Sequence, residues 1–369
     1  MENITYIFAS DRKKYIENNN IQASEFFYGL NYFDKENYKL NIIEFDEKIS
    51  LINKLVQLVD IFFRKFVSLP FYTSKLLSLN NLKTLYRTDH LIMINESVGC
   101  SALLLIILIK RIKKIKCHLF VMGLYSKNLR FPKVRTIHFY VIKILVRNLD
   151  NLFFLGKEEL KIAKKTHPQY KKKFHYFPFS IDTKFWSNDE FVPSKNEQII
   201  FVGNDGNRDF KLLIEIAEHI PDKEFLFISQ SQYLKDLKLD NVKILEGKWG
   251  SLKISDETLK DYYLNSRICI LPLKDSTQPS GQSVSLQCMS LGIPIMISKT
   301  KGFWDYDSFQ HEENILFTNN SLNSWVENIN SFYEKTTLLD SISANAKNMV
   351  VNNYNLKTFY DNLKNKIFT

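Results

Sequence analysis

Short, mostly apolar runs of three to six residues recur along this chain, separated by stretches long enough for helices, and the series restarts midway. In the first half the runs are 4–9, 40–45, 91–94, 118–122, 152–155 and 174–177; in the second they are 199–202, 225–228, 242–245, 268–271, 293–297 and 315–317. A strand whose two faces are both covered reads as a continuous apolar run, and strands alternating with helices build parallel sheets. The intervening spacings predict helices at 23–29, 49–67, 97–112, 137–149 and from Lys157, then at 210–219, 258–264, 322–333, 338–352 and 356–367. A chain of 369 residues is too long for one such core, so the pattern predicts an α/β protein of two doubly wound parallel sheets.

Charge separates the halves. Residues 1–182 hold 30 Lys and Arg against 16 Asp and Glu, a net +14, whereas residues 183–369 hold 20 against 24, a net −4. The first half is therefore suited to an anionic partner, and the aromatic, Lys-bearing stretch 49–75 to an anionic membrane surface. Neither a nucleic-acid motif nor a dinucleotide Gly-x-Gly-x-x-Gly accompanies the charge, which argues against nucleic acid and against a nicotinamide enzyme. Cys100, Cys117, Cys269 and Cys288 are widely spaced in apolar surroundings and read as buried thiols of a reducing compartment. Met1–Ser10 has a strand pattern instead of a signal peptide, and the run 102–109 is far short of a bilayer span. A cytoplasmic protein, peripheral on the inner face of the membrane at most, is expected.

Chemistry concentrates in the second half. Gln278-Pro-Ser-Gly-Gln-Ser283 leads into a helix that Gly292 ends, and Pro294 opens the next strand. A glycine-bearing loop entering a helix offers backbone N–H groups and the positive end of the dipole to an anion. The loop 203–209 after the first strand of this half is of the same kind and carries Arg208. In the first half Asn95, Glu96 and Gly123 fall at strand ends, where open parallel sheets collect ligands; Glu96 is equally placed to serve as a helix-start carboxylate. His118, at the start of its run, reads as structural. Asp305-Tyr-Asp307 follows a turn and reads as loop, and no His/Cys cluster has metal-ligand spacing.

The segment 278–298 resembles the signature helix of retaining glycosyltransferases of family 4, which have the two-Rossmann-domain type B fold. Pro178-Phe-Ser-Ile-Asp182-Thr-Lys-Phe is similar to the passage between the two domains of that family, and the polar stretch 187–198 follows it as a linker. The resemblance implies an acceptor domain at 1–180, a donor domain at 181–355 facing it across a cleft, and a helix at 356–369 crossing back. It implies metal-independent, retaining transfer of a sugar from a UDP- or GDP-sugar, a co-substrate and not a bound cofactor, to a glycan or lipid-linked acceptor. By position, Arg208 takes the place of the family's phosphate-binding Lys, with Gly203, Asn204, Ser280, Gly281, Gln282 and Ser283 around the diphosphate. The family's two signature carboxylates fall on Pro279 and Gln287, so neither is kept. Gln287 is expected at the ribose; Asp275, Ser276 and Ser280 are the candidates for the work of the first, with Arg208, Glu96 and Asp275 as the catalytic set. The loss of both carboxylates also leaves open a catalytically silent relative that binds a nucleotide sugar or scaffolds a partner.

Overall fold

The computed structural model describes all residues except 18–22, 48, 49, 51, 52, 128, 130, 189–196, 248–253 and 369. The greater part of the expected linker 187–198, and the start of the helix expected at 49–67, lie outside the described residues. The chain forms two compact units. One comprises Met1–Ile21, Phe27–Pro178 and Tyr360–Thr369; the other comprises Gln22–Phe26 and Phe179–Phe359.

The first unit holds a six-stranded sheet of β1 (Glu2–Phe8), β2 (Tyr38–Glu44), β3 (His90–Met93), β4 (Lys116–Val121), β5 (Asn151–Phe154) and β6 (Phe174–Tyr176). Its order is β2-β1-β3-β4-β5-β6 with every pair parallel. The helices are α1 (Arg12–Glu17), α2 (Asn53–Phe62), α3 (Leu79–Arg87), α4 (Glu96–Lys110), α5 (Pro132–Asn148) and α6 (Lys157–Thr166). Two differences from the expected pattern have local causes. The helix expected at 23–29 is a pair of 3₁₀ turns, Glu25–Phe27 and Leu30–Tyr32, because Tyr28 and Gly29 both take positive φ between them. The helix expected to run to Val67 breaks at Phe62 into a π turn, Phe63–Val67, that Ser68 ends in the left-handed region. His118 lies inside β4, stacked on His90 and bonded to Asn151; burial holds it well below the usual histidine range, so it is neutral and structural.

The second unit holds β7 (Ile199–Val202), β8 (Phe225–Ile228), β9 (Val242–Leu245), β10 (Ile268–Leu271), β11 (Ile295–Ser298) and β12 (Leu316–Thr318) in the order β9-β8-β7-β10-β11-β12, again all parallel. That is the doubly wound dinucleotide-fold order, whose crevice opens where the winding reverses, at the carboxyl ends of β7 and β10. Its helices are α7 (Phe210–His219), α8 (Asp256–Leu264), α9 (Gln282–Leu291), α10 (Leu322–Glu334) and α11 (Thr336–Asn353). Gly281 and Gly292, at φ 83° and 81°, bracket α9; without a Cβ they take the left-handed conformation that lets a helix buried at every residue but Ser283 start and stop abruptly. A last helix, α12 (Leu356–Phe368), passes into the first unit, where Tyr360 packs on Tyr32 and Phe33 and Phe368 on Tyr38 and His90.

Candidate active site

The loop after β7 and the loop after β10 meet at the switch point of the second sheet. Asn207 Nδ2 donates to Ser280 Oγ at 2.8 Å, and Lys274 N donates to Asn207 O at 2.8 Å, so the two loops are tied directly. Between them lies Arg208, only 3% exposed. Its side chain crosses Gly203 so closely that a Cβ there would stand 2.2 Å from Nε, and its Nη1 is 3.4 Å from the corresponding position on Gly281. Asp205 Oδ2 lies 3.4 Å from Nη1, yet neither Nε nor Nη1 has a hydrogen-bond partner. A buried guanidinium with two nitrogens lacking hydrogen-bond partners is a costly arrangement unless an anion completes it.

Arg208 lines an open cavity of about 200 Å³. Its lining combines apolar side chains, among them Phe26, Val202, Ile228, Ile254 and Leu259, with the polar Arg208, Asn204, Asp205, Asp256, Ser283 and Gln287. Of the residues expected around a diphosphate, Gly203, Asn204, Arg208 and Ser283 line it, whereas Ser280, Gly281 and Gln282 are not among the lining residues. Asn204 is spent on architecture: its Oδ1 accepts from Ser229 and Gln230 N, and its Nδ2 donates to Gly247 O. No side chain caps α9 at Gly281.

Two residues differ from their expected roles. Asp275 is not among the cavity-lining residues; it is mostly exposed and accepts from Lys301 N, with Lys301 Nζ at 3.9 Å. Gln287 lines the cavity, but its amide is already engaged: Nε2 donates to Glu25 Oε1 at 2.8 Å and Oε1 accepts from Tyr263 OH at 3.3 Å. Glu25 itself was not legible in the sequence, because it arrives from a segment 262 residues away. Trp186 Nε1 donates to the same oxygen at 2.9 Å, Asp256 anchors the segment through Ala23 N, and Glu25 Oε2 has no partner.

Burial pushes the Glu25 carboxyl up to about 7, against the hydrogen bonds from Gln287 and Trp186 that favour its ionised form. The folded state thus holds this proton more tightly than the unfolded chain does. Its contribution is complete below the unfolded value near 4.5 and is lost as the pH rises through about 7, a difference of up to ~3 kcal/mol. Glu25→Gln keeps the acceptor oxygen and removes the titration. Wild-type melting temperature is expected to fall, relative to the variant, between about pH 5 and about pH 8; parallel curves would refute the assignment.

In the first unit, the ends of β3 and β4 bring together the other three candidates. Asn95 caps α4, its Oδ1 accepting from Val98 N and Ser97 OH. Glu96, half-buried and raised above the usual carboxylate range by burial, accepts from Met122 N at 3.3 Å. Gly123 N donates to Glu159, which also holds Tyr125 N and is pushed up to about 8 by burial and by Glu96. Glu159 was missed because nothing in a helix-start carboxylate marks it as reaching across to a neighbouring strand end. Beyond this loop a second cavity of about 350 Å³ is lined by Lys127, Arg135, His138, Phe139 and His167. Asp305 is a turn residue, accepting from Asp307 N, Ser308 N and Ser308 OH, so the Asp-x-Asp pair is loop architecture.

Solved structures of similar fold include HepE of Anabaena in complex with UDP and glucose, with a TM-score of 0.69 at 12% identity over 100% of both chains. Sucrose-phosphate synthase from Thermosynechococcus elongatus gives 0.68 at 12% identity over 99% of this chain and 98% of that one. A glycosyltransferase from Rickettsia africae gives 0.63 at 11% over 99% and 97%. These likenesses establish the two-Rossmann-domain type B fold. The family itself comes from the sequence: residues 95–349 match the model described as 4-alpha-L-fucosyltransferase, glycosyl transferase group 56. The resemblance to family 4 therefore holds for the architecture, while the family is another one. Since the match takes in well over half of its length, the chain belongs to glycosyltransferase group 56.

Proposed function

We propose that this glycosyltransferase takes a nucleotide diphosphate sugar at the cavity beside Arg208 and transfers the sugar to a glycan or lipid-linked acceptor. One observation carries the reading: the buried Arg208 guanidinium, with two nitrogens that have no hydrogen-bond partner, lining a cavity that also presents apolar side chains. Apolar lining suits a base and ribose, and a planar fork suits the diphosphate on which charge builds as the sugar leaves. The complexes of HepE with UDP and with UDP-glucose support this donor class, and the family's description points to a fucosyl-type 6-deoxyhexose as the sugar. Arg208 supplies cationic charge without a metal ion. The basic lining of the second cavity favours an acceptor that carries phosphate.

Two stereochemical courses follow from the residues. Retention is what the family 4 resemblance implies, with leaving group and acceptor on one face. Inversion needs a general base for the acceptor hydroxyl, and Glu96, a partly exposed carboxyl with a raised pKa at a strand end, favours that second course. The anomeric proton coupling of the product, read by NMR against that of the donor, separates them. The donor site is tested first by thermal melts with UDP, GDP, ADP and CMP, with and without EDTA. A nucleoside diphosphate at 100 times its Kd adds about 2.7 kcal/mol, and the shift is expected to survive EDTA. A protein stabilised by none of them would be the silent relative instead.

A further inference from the structure

The first unit turns apolar stripes outward. On α2 and its π turn, Leu55, Leu58, Val59, Phe62 and Phe66 recur at helical spacing, and all five are exposed. On α4 and just past its end the same holds for Leu104, Leu108 and Ile112, and on α5 for Ile137, Tyr140 and Ile144. Helical periodicity normally marks the face a helix buries; here a second stripe of that period faces solvent. Of the 19 large apolar side chains exposed among the described residues, 15 lie between 55 and 144. Topology gathers them, because right-handed crossovers after β2, β3 and β4 place the following helices on one face of the sheet. Within that layer α3 packs on α4, α4 on α5, and α5 on the π turn that continues α2.

Charge identifies the occupant. Residues 53–147 carry 17 Lys and Arg against 3 Asp and Glu, a net +14, so the rest of the chain amounts to −4. Of the three acids, Asp60 is buried under Thr73 and Ser74, Asp89 pairs with Lys113, and Glu96 holds Met122 N. Each stripe carries a cation at or near its end: Lys65 three residues after Phe62, Arg111 three after Leu108, Arg147 three after Ile144. Lys and Arg so placed lay their stems along apolar surface and hold their charges at headgroup level. Two copies of this face would repel each other, and a phosphate backbone alone would leave the Leu and Phe stripes in water.

We propose that the helical layer of α2–α5 docks on an anionic lipid bilayer, apolar stripes at the acyl boundary and Lys65, Arg111 and Arg147 among the phosphates. The surface does not depend on the donor chemistry, so its test uses neither donor nor acceptor. The full chain is sedimented with vesicles of phosphatidylcholine, pure or mixed in equal parts with phosphatidylglycerol. Binding to the mixed vesicles only, weakened by salt, is expected. The double variant Phe62→Ser, Phe66→Ser should lose roughly a hundredfold in partitioning, about tenfold for each ring withdrawn from the bilayer. Lys65→Glu with Arg147→Glu should lose binding while keeping every apolar contact, and Tyr233→Ser, an exposed ring in the second unit, should bind as wild type. Melting curves check that each variant is folded. No sedimentation of wild type with the mixed vesicles, or equal binding by the Phe variant, would overturn the proposal. So would self-association that the Phe variant abolishes in the absence of lipid.

Discussion

Arg208→Ala is expected to lower kcat/KM for sugar transfer by about 10²–10³-fold and to abolish the thermal shift given by a nucleoside diphosphate. The size follows from the position. The guanidinium is buried, flanked by the two loops at the switch point, and is the cavity-lining cation among the described residues. Apo stability should hold or rise, because the change removes two buried nitrogens that have no hydrogen-bond partner. Loss of binding together with loss of fold would therefore count against the assignment. Arg208→Lys restores the charge but not the fork, and should recover only part of the activity. Steady-state kinetics and ligand-dependent melts on the three proteins decide the matter; a variant within threefold of wild type would end the phosphate role for this residue.

The second large effect tests the same guanidinium without touching it. Gly203 does not take a positive φ, so its backbone accepts alanine; what does not accept it is Arg208, with Nε 2.2 Å, Cδ 3.0 Å and Cζ 3.1 Å from the added Cβ. The side chain has to shift by about an ångström, and a misplacement of that order costs about 10²-fold in a positioned group. Gly203→Ala should thus act through Arg208 alone. In an Arg208→Ala background it should cost almost nothing, a coupling that a double-mutant cycle reads directly. Gly206→Ala, in the same loop with open space around it, is the neutral control. Additive losses from Gly203→Ala and Arg208→Ala would show that the loop, not the guanidinium, carries the effect.

How far these features could be read from the residues depends on how local their causes are. The strands were legible because each, buried on both faces, is a continuous run such as Ile199–Val202 or Ile268–Leu271. Gly292 as a left-handed cap and Arg208 in a strand-to-helix loop were legible for the same reason: the cause lies within a few residues. Helix α3 was not: Leu79, Leu82 and Leu85 do recur at helical spacing, but the segment is short and mostly polar, and of the three only Leu85 is buried. The aromatic, Lys-bearing stretch reads as a surface in the sequence, and the fold leaves its Phe62 and Phe66 exposed. The contacts of Glu25 span 161 residues to Trp186 and 262 to Gln287, and no spacing rule reaches that far. Gln287 therefore looked like a ribose ligand until its amide was seen held at both ends.

The excursion of residues 23–26 into the second unit has a consequence for how the protein can be made or divided. The ribosome releases Glu25 long before Trp186, Tyr263 and Gln287 exist, so the donor unit is finished with a piece synthesised first and kept waiting. The chain passes from one unit to the other four times, the last within α12. No single cut yields two whole units. A fragment beginning at 179 would leave Trp186 Nε1 and Gln287 Nε2 without their shared acceptor in a buried place. Adding a peptide that carries 23–26 should supply it, which makes that tetrapeptide the smallest missing part of the donor half.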